Sequence, residues 1–310
     1  MKNDTHDFFM AKKSTTEVGV GALLKESAQG FVNDEGLRLS AALAYYSAFA
    51  LAPLLLIVLS IAGAVFGDEA VRGMLYDEIH RDLGRSGAEV LEDMIAHARD
   101  PHQSLVMSLV GLVVLLFGAA GLFGQLQASL NAIWNVPPRP SFGVGHFVKS
   151  HFLSFSMVLG TGFLLLVSMV LSTILNAVSV RVGEIAHIPA PIWAVAGGFV
   201  SFALITLLFA AIFKVLPDVI IRWRDVWTGA IFTSGLFAIG KSAIGWYLGR
   251  EAMASSYGSA GAVIVILTWL YYSSAILLFG AEFTQVQARA AGREIVGRAL
   301  RRELPQEAVR

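Results

Sequence analysis

The chain has 310 residues, 55% hydrophobic and only 15% charged, with a mean hydropathy of +0.65. A soluble domain carries roughly 25% charged residues, so there are too few ionised groups here to keep such a surface in water. Lys plus Arg and Asp plus Glu are equal at 23 each, which removes bulk charge as a case for nucleic-acid binding, and the absence of Cys excludes disulfides, thiolate metal sites and Cys nucleophiles.

Residues 1–39 form a polar N-terminal segment, in which Leu23 to Leu39 (LLKESAQGFVNDEGLRL) reads as an interfacial amphipathic helix leading into the first apolar stretch. Crossing a hydrocarbon core of about 30 Å takes roughly 20 apolar residues of helix, and six stretches are long enough. The first runs from Ser40 to Phe66 and contains Pro53, whose missing N–H removes a backbone bond and marks a candidate hinge. It is longer than a signal-peptide core and is expected to be retained. Gly67 to Gln103 follows, with nine acids against four Arg and apolar residues at helical spacing from Val71 to Ile95. This pattern predicts an external pair of short amphipathic helices, broken near Gly84 to Gly87.

The second stretch covers Ser104 to Leu126, and the stiff Pro137-Pro138-Arg139-Pro140 turn separates it from the third, Phe147 to Ala177. The fourth is Pro191 to Phe213, the fifth Val226 to Leu248 and the sixth Ser259 to Phe283. Each is apolar on all sides, where a soluble helix would show one stripe. Residues 285–310 form a basic tail whose Arg-rich helical pattern suits an anionic inner leaflet. The expected fold is all-α, a polytopic bundle of six transmembrane helices over residues 40–284. Sixteen Lys and Arg fall in the N-terminal segment, the alternate loops and the tail, against six on the opposite side. That asymmetry predicts both termini in the cytoplasm.

Membrane helices associate through close backbone approach and hydrogen bonds, so small residues four apart mark packing faces. Candidates are Ala120, Gly124 and Ala128 on the second stretch, Gly197 with Ser201 on the fourth, and Ala230, Ser234, Ala238 and Ser242 on the fifth. The last ladder places the fifth helix inside the bundle. Asn131 stands out near the inner interface, since a buried amide there needs partners on other helices.

Ionisable groups within spans are expensive and count as functional candidates. Lys241 lies 14 residues past Trp227, about 21 Å from the inner boundary, whereas Glu282 lies about 5 Å from it. The two are too far apart in depth for a direct salt bridge between regular helices. Tyr271, Tyr272 and Ser273 lie at the depth of Lys241 and, with Ser274, offer hydroxyls to an ammonium or a polar cavity. Two readings of Lys241 stay open: a positive site for an anionic or proton-coupled solute, and a lysine that snorkels outward. Glu282 reads first as a carboxylate snorkelling or capped near the interface, and second as a member of the same pathway. Tyr257 and Gly258 sit in a small-residue turn before the sixth stretch, where exposed N–H groups can meet an anion, although most such turns only enter a helix.

Enzyme chemistry finds little support, which puts an enzyme acting on lipid or RNA last among the readings. The seven His form no HxH or HExxH set, and there is no P-loop, GxSxG elbow or carboxylate cluster at metal spacing. No metal, cofactor or nucleic-acid partner is expected; membrane lipids and a small solute are.

Several separated motifs resemble the YihY/BrkB family of bacterial inner-membrane proteins: RLSAALAYYSAFALAPLLLIVLSIAG, GLFGQLQASLNAIWNV, FKVLPD from Phe213, W-x-D-V-W-x-GA from Trp223, YGSAGA from Tyr257, WLYYSS from Trp269 and FGAEF from Phe279. The similarity covers Leu23 to Ala288. It implies a six-helix inner-membrane protein with both termini inside, and it sets Lys241, Tyr257, Gly258, Trp269, Tyr271 and Glu282 at motif positions. It implies no settled activity: members are described as transporters, virulence-associated factors or, historically, ribonuclease BN. The last label conflicts with the missing nuclease constellation. The expected function is therefore a permease, the alternative a non-transporting scaffold for envelope assembly.

Overall fold

The computed structural model describes residues 19–66, 73, 118, 121–136, 190–248, 259–293 and 295–297. Apart from Gly73 and Gly118, the expected external segment 67–103, most of the second stretch, the Pro137–Pro140 turn and the third stretch lie outside these residues, as do Tyr257 and Gly258.

Helix α1 spans Val20–Asn33 and stops where Glu35 takes a left-handed backbone, φ 54°. The expected interfacial helix to Leu39 is thus broken. The cause is local: Gly36 lies against the Phe31 ring, where any Cβ would overlap it, so the chain folds sharply at residues 34–36. Helix α2, Gly36–Phe66, then runs 31 residues, about 46 Å at 1.5 Å each, and is helical through Pro53. Helix α3 covers 121–133 and ends in a turn at Trp134–Asn135, with Asn135 at φ 54°. Helices α4 (Ala190–Val215) and α5 (Trp223–Leu248) are joined by a short connection carrying strand β1, Val219–Ile220. Helix α6, Ser259–Ala290, has 32 residues.

Helix α6 overruns its expected end near Phe283 because the residues beyond it, Thr284, Gln285, Val286 and Ala288, are buried in protein. Gly292, at φ +70°, then stops it: its N–H donates to Arg289 O at 2.9 Å and the Arg293 N–H to Ala288 O at 2.9 Å. This crossed pair of bonds satisfies the last carbonyls and needs a residue that tolerates positive φ. The chain next forms strand β2, Val296–Gly297, antiparallel to β1 with Val219 opposite Gly297 and Ile220 opposite Val296. The start of the tail, expected to be helical, is therefore a strand, and the described elements are helical apart from this two-residue ladder.

Among the described residues, Gly197–Val215 and Val263–Ala290 are helical runs long and apolar enough to cross a membrane. Helix α6 is central: α2, α5 and α1 all pack on it, while α4 packs on α5. The end where α2 and α5 begin and α4 and α6 finish is called basal below. Its core joins Leu126, Leu130, Ile133 and Trp134 of the α3 region to Phe209, Phe213 and Leu216 and to Leu278 and Ala281. An aromatic chain climbs from it, Trp134–Phe213–Phe209–Phe237–Trp269, with ring centroids 5.9–6.3 Å apart.

The small-residue faces differ from those expected. On the fifth-stretch ladder Ala230 and Ser234 are buried, but Ala238 and Ser242 are exposed. Nothing lies within 4 Å of a Cβ placed on Gly124 or Gly197, and Ala128 and Ser201 are exposed. Close approach to α2 is made instead by Gly118, against Phe49 O and the Ala50 Cα, and by Gly121, against the Tyr46 ring. Four-residue spacing alone does not say which side of an all-apolar helix meets protein and which meets lipid.

Candidate functional site

The α5–α6 seam sets the geometry of every candidate on these helices. A Cβ on Gly229 would overlap the Thr284 side chain, and one on Gly280 would overlap Thr233. Each threonine hydroxyl is turned back on its own helix, Thr233 Oγ1 donating to Gly229 O and Thr284 Oγ1 to Gly280 O, both at 2.7 Å. The hydroxyls are thereby satisfied, and each sits with its Cβ in the hollow left by the opposing glycine. Two Gly-x-x-x-Thr units thus interlock head to tail. The sequence reading missed this pair, although both units are written there at small-residue spacing.

Higher on the same seam, Gly240 lies against Tyr272, where a Cβ would overlap the ring. The antiparallel register therefore puts the turn of Lys241 level with Tyr271, Tyr272 and Ser273, all half-buried, and Ser274 beside them is buried. Ser273 Oγ is buried without a hydrogen-bond partner, as is Ser234 Oγ lower on α5. Buried hydroxyls of this kind cost free energy unless water or a ligand meets them. By the same register Glu282 is level with residue 231, ten residues or about 15 Å below Lys241. The two do not form one charge pair.

Glu282 does not snorkel. It is 3% exposed and lies beneath α1, where Gly30 leaves room for its carboxylate: a Cβ there would overlap Oε1. Its Oε2 has no hydrogen-bond partner. The sequence missed this because no pattern in residues 20–33 announces that α1 packs on α6. Asp34, in the turn after α1, is pushed above its ordinary carboxylate value of 3.8 by burial, which outweighs the opposing pull of Arg289. Arg289 also stands 3.8 Å from Glu26, but both side chains are about half exposed and the pair contributes little.

The basal end is tied together by polar groups. Asn131 Oδ1 accepts the Asp218 N–H at 2.9 Å and its Nδ2 donates to Asp218 Oδ2 at 3.5 Å, with Gln127 Nε2 donating to the same oxygen at 3.4 Å. The half-buried amide thus has a partner on another element. Trp134 Nε1 donates to Ala281 O at 2.9 Å. Lys214 Nζ donates to Ile221 O at 2.5 Å and sits 5.2 Å above the Trp223 ring. Asp225, 2% exposed, receives a forked pair from Arg293, with Nη2 to Oδ1 at 2.5 Å and Nε to Oδ1 at 3.1 Å. These contacts fix the ends of α3, α4, α5 and α6 to one another. Among the described residues no three His, Asp or Glu come together to hold a metal.

These basal residues belong largely to the motifs IWNV, FKVLPD, W-x-D-V-W and FGAEF. The family model described as virulence factor BrkB matches residues 27–304. A UPF0761 membrane protein of Methylibium petroleiphilum is 31% identical over 83% of this chain and 60% of its own length. One from Alkalilimnicola ehrlichii is 28% identical over 86% of this chain and 59% of its own length. A third, from Mannheimia succiniciproducens, is 23% identical over 83% of this chain and 86% of its own length. The chain thus spans about three fifths of the length of the first two. No solved structure matches it. The chain belongs to the BrkB family of membrane proteins, whose members include the UPF0761 proteins.

Proposed function

We propose that this chain is a six-span permease of the bacterial inner membrane, with both termini in the cytoplasm, that moves a small anionic or proton-coupled solute along α6. The basal end is then the cytoplasmic one, in keeping with the sixteen basic residues on that side against six on the other. The observation that carries the reading is the level of Lys241, where an ammonium-bearing turn meets Tyr271, Tyr272 and a buried, unpartnered Ser273 hydroxyl in the middle of a helix pair. Polar groups left unsatisfied in the interior of a span mark solute and ion pathways. No enzyme step, cofactor or nucleic acid enters this function; its partners are lipids and the solute.

The test is solute flux in proteoliposomes, with a panel of small organic and inorganic anions offered with and without a pH gradient. Lys241→Met is expected to lower flux of any transported anion by at least tenfold while leaving the protein inserted. Unchanged flux removes Lys241 from the mechanism. A second reading, a scaffold for envelope assembly, draws on the family's description as a virulence factor. It predicts that deleting residues 67–103 abolishes the cellular phenotype while flux is absent from wild type and variant alike.

A further inference from the structure

The contact between α1 and α6 encloses two acceptor oxygens without a donor. Glu282 Oε2 and Gln285 Oε1 are both buried and unpartnered, on residues 3% and 7% exposed. At i and i+3 they share one face of α6. An ionised carboxylate in such a place needs a cation or several donors. Among the described residues, the groups facing it from the α1 side are themselves acids, Glu26 and Asp34, and the facing cation, Arg289 on α6 itself, is drawn to Glu26 and half exposed. The charged side chain of α2 at this end, Arg38, is held by Glu35 at 2.6 Å. Of the two charged side chains that open α5, Asp225 is taken by Arg293 at 2.5 Å and Arg224 is exposed.

A proton on Glu282 answers each of these features. It removes the charge from a buried site beside two other acids, and it turns one acceptor into a donor within reach of an acceptor-rich face. Gly30 matters because only a residue without Cβ lets α1 close over the carboxyl. We propose that Glu282 is an exchangeable proton-binding site covered by α1: the proton is held while α1 lies on α6, and its transfer to water at the basal end leaves a carboxylate that lifts α1 away. No other bond is made or broken. The inference deepens the permease reading by naming the proton as the coupling ion and α1 as its cover.

The experiment reads proton binding without reading flux, so its failure and the failure of the permease reading are separable. In nanodiscs, infrared difference spectra across a pH titration are expected to show a protonated-carboxyl band in the wild type that Glu282→Gln abolishes. Asp34→Asn keeps the band and shifts its midpoint toward lower pH, because a neighbouring negative charge is gone. The chain has no Cys, so spin labels at Val32→Cys and Ala290→Cys, both exposed positions, report the α1–α6 distance. One short distance is expected at low pH, and a second, longer one on raising the pH, absent in Glu282→Gln. A wild type with no titrating carboxyl band, a band unmoved by Asp34→Asn, or a label distance constant through the titration overturns the proposal. The wild-type and Asp34→Asn readouts hold even if Glu282→Gln does not fold.

Discussion

Single glycines decide how closely these helices meet. Gly229 and Gly280 each receive a threonine, so alanine at either position puts a methyl where a side chain already sits. Overpacking of this kind costs about 1–3 kcal/mol, more than the roughly 1 kcal/mol that alanine gains over glycine in helix propensity. Gly229→Ala and Gly280→Ala are expected to lower stability in detergent unfolding, and Thr233→Ala is expected to recover much of the Gly280→Ala loss in the double variant. Gly124→Ala and Gly197→Ala, which meet nothing within 4 Å, are expected to be neutral or slightly stabilising. That the turn of Lys241 stands level with Tyr271 to Ser273 follows from residue counting, because helix rise is constant. The glycines that matter were not legible in the sequence, because a small residue on an all-apolar helix looks the same whether protein or lipid lies beside it.

The elements are held in place chiefly at the basal end, and there a partly buried ion pair holds the start of the tail. Asp225 is 2% exposed and its forked bond from Arg293 pins the residues that lead into β2. Removing one partner of a buried pair leaves an uncompensated charge, at a cost of about 3–5 kcal/mol. Arg293→Ala is therefore expected to lower stability by about 3 kcal/mol and to expose the tail to limited proteolysis after Ala290, and Arg293→Lys to restore it only in part, since an ammonium cannot fork. The sequence reading took the tail for a helix on the strength of its arginines, yet Gly292 and the β1 edge stop it. At α1 the pH matters. Asp34 binds its proton more tightly folded than unfolded, so its contribution is fully present below 3.8 and is lost as pH rises through the raised value. Unfolding followed between pH 3 and 7 is expected to show stability falling across this window in the wild type, and a flatter profile in Asp34→Asn.

For the whole molecule, the helical runs Ala190–Val215 and Trp223–Leu248 closely follow stretches read from hydropathy alone, since a long apolar run without breakers stays helical throughout. The central place of α6, its extension to Ala290 and the packing of α1 depend on side-chain fit between distant segments, and no window along the chain contains that information. On the permease reading, polar groups along the α5–α6 pair line a hydrated route. The absence of Cys makes this directly measurable by introducing single cysteines at Ser273 and Ser234, with Ile239, 70% exposed, and Phe199, 71% exposed, as lipid-facing controls. In sealed membranes, Ser273→Cys and Ser234→Cys are predicted to react with a small, charged, membrane-impermeant thiol reagent, and Ile239→Cys and Phe199→Cys to stay unmodified. Failure of both serine positions to react, while a permeant reagent labels them, would contradict a hydrated route along α6.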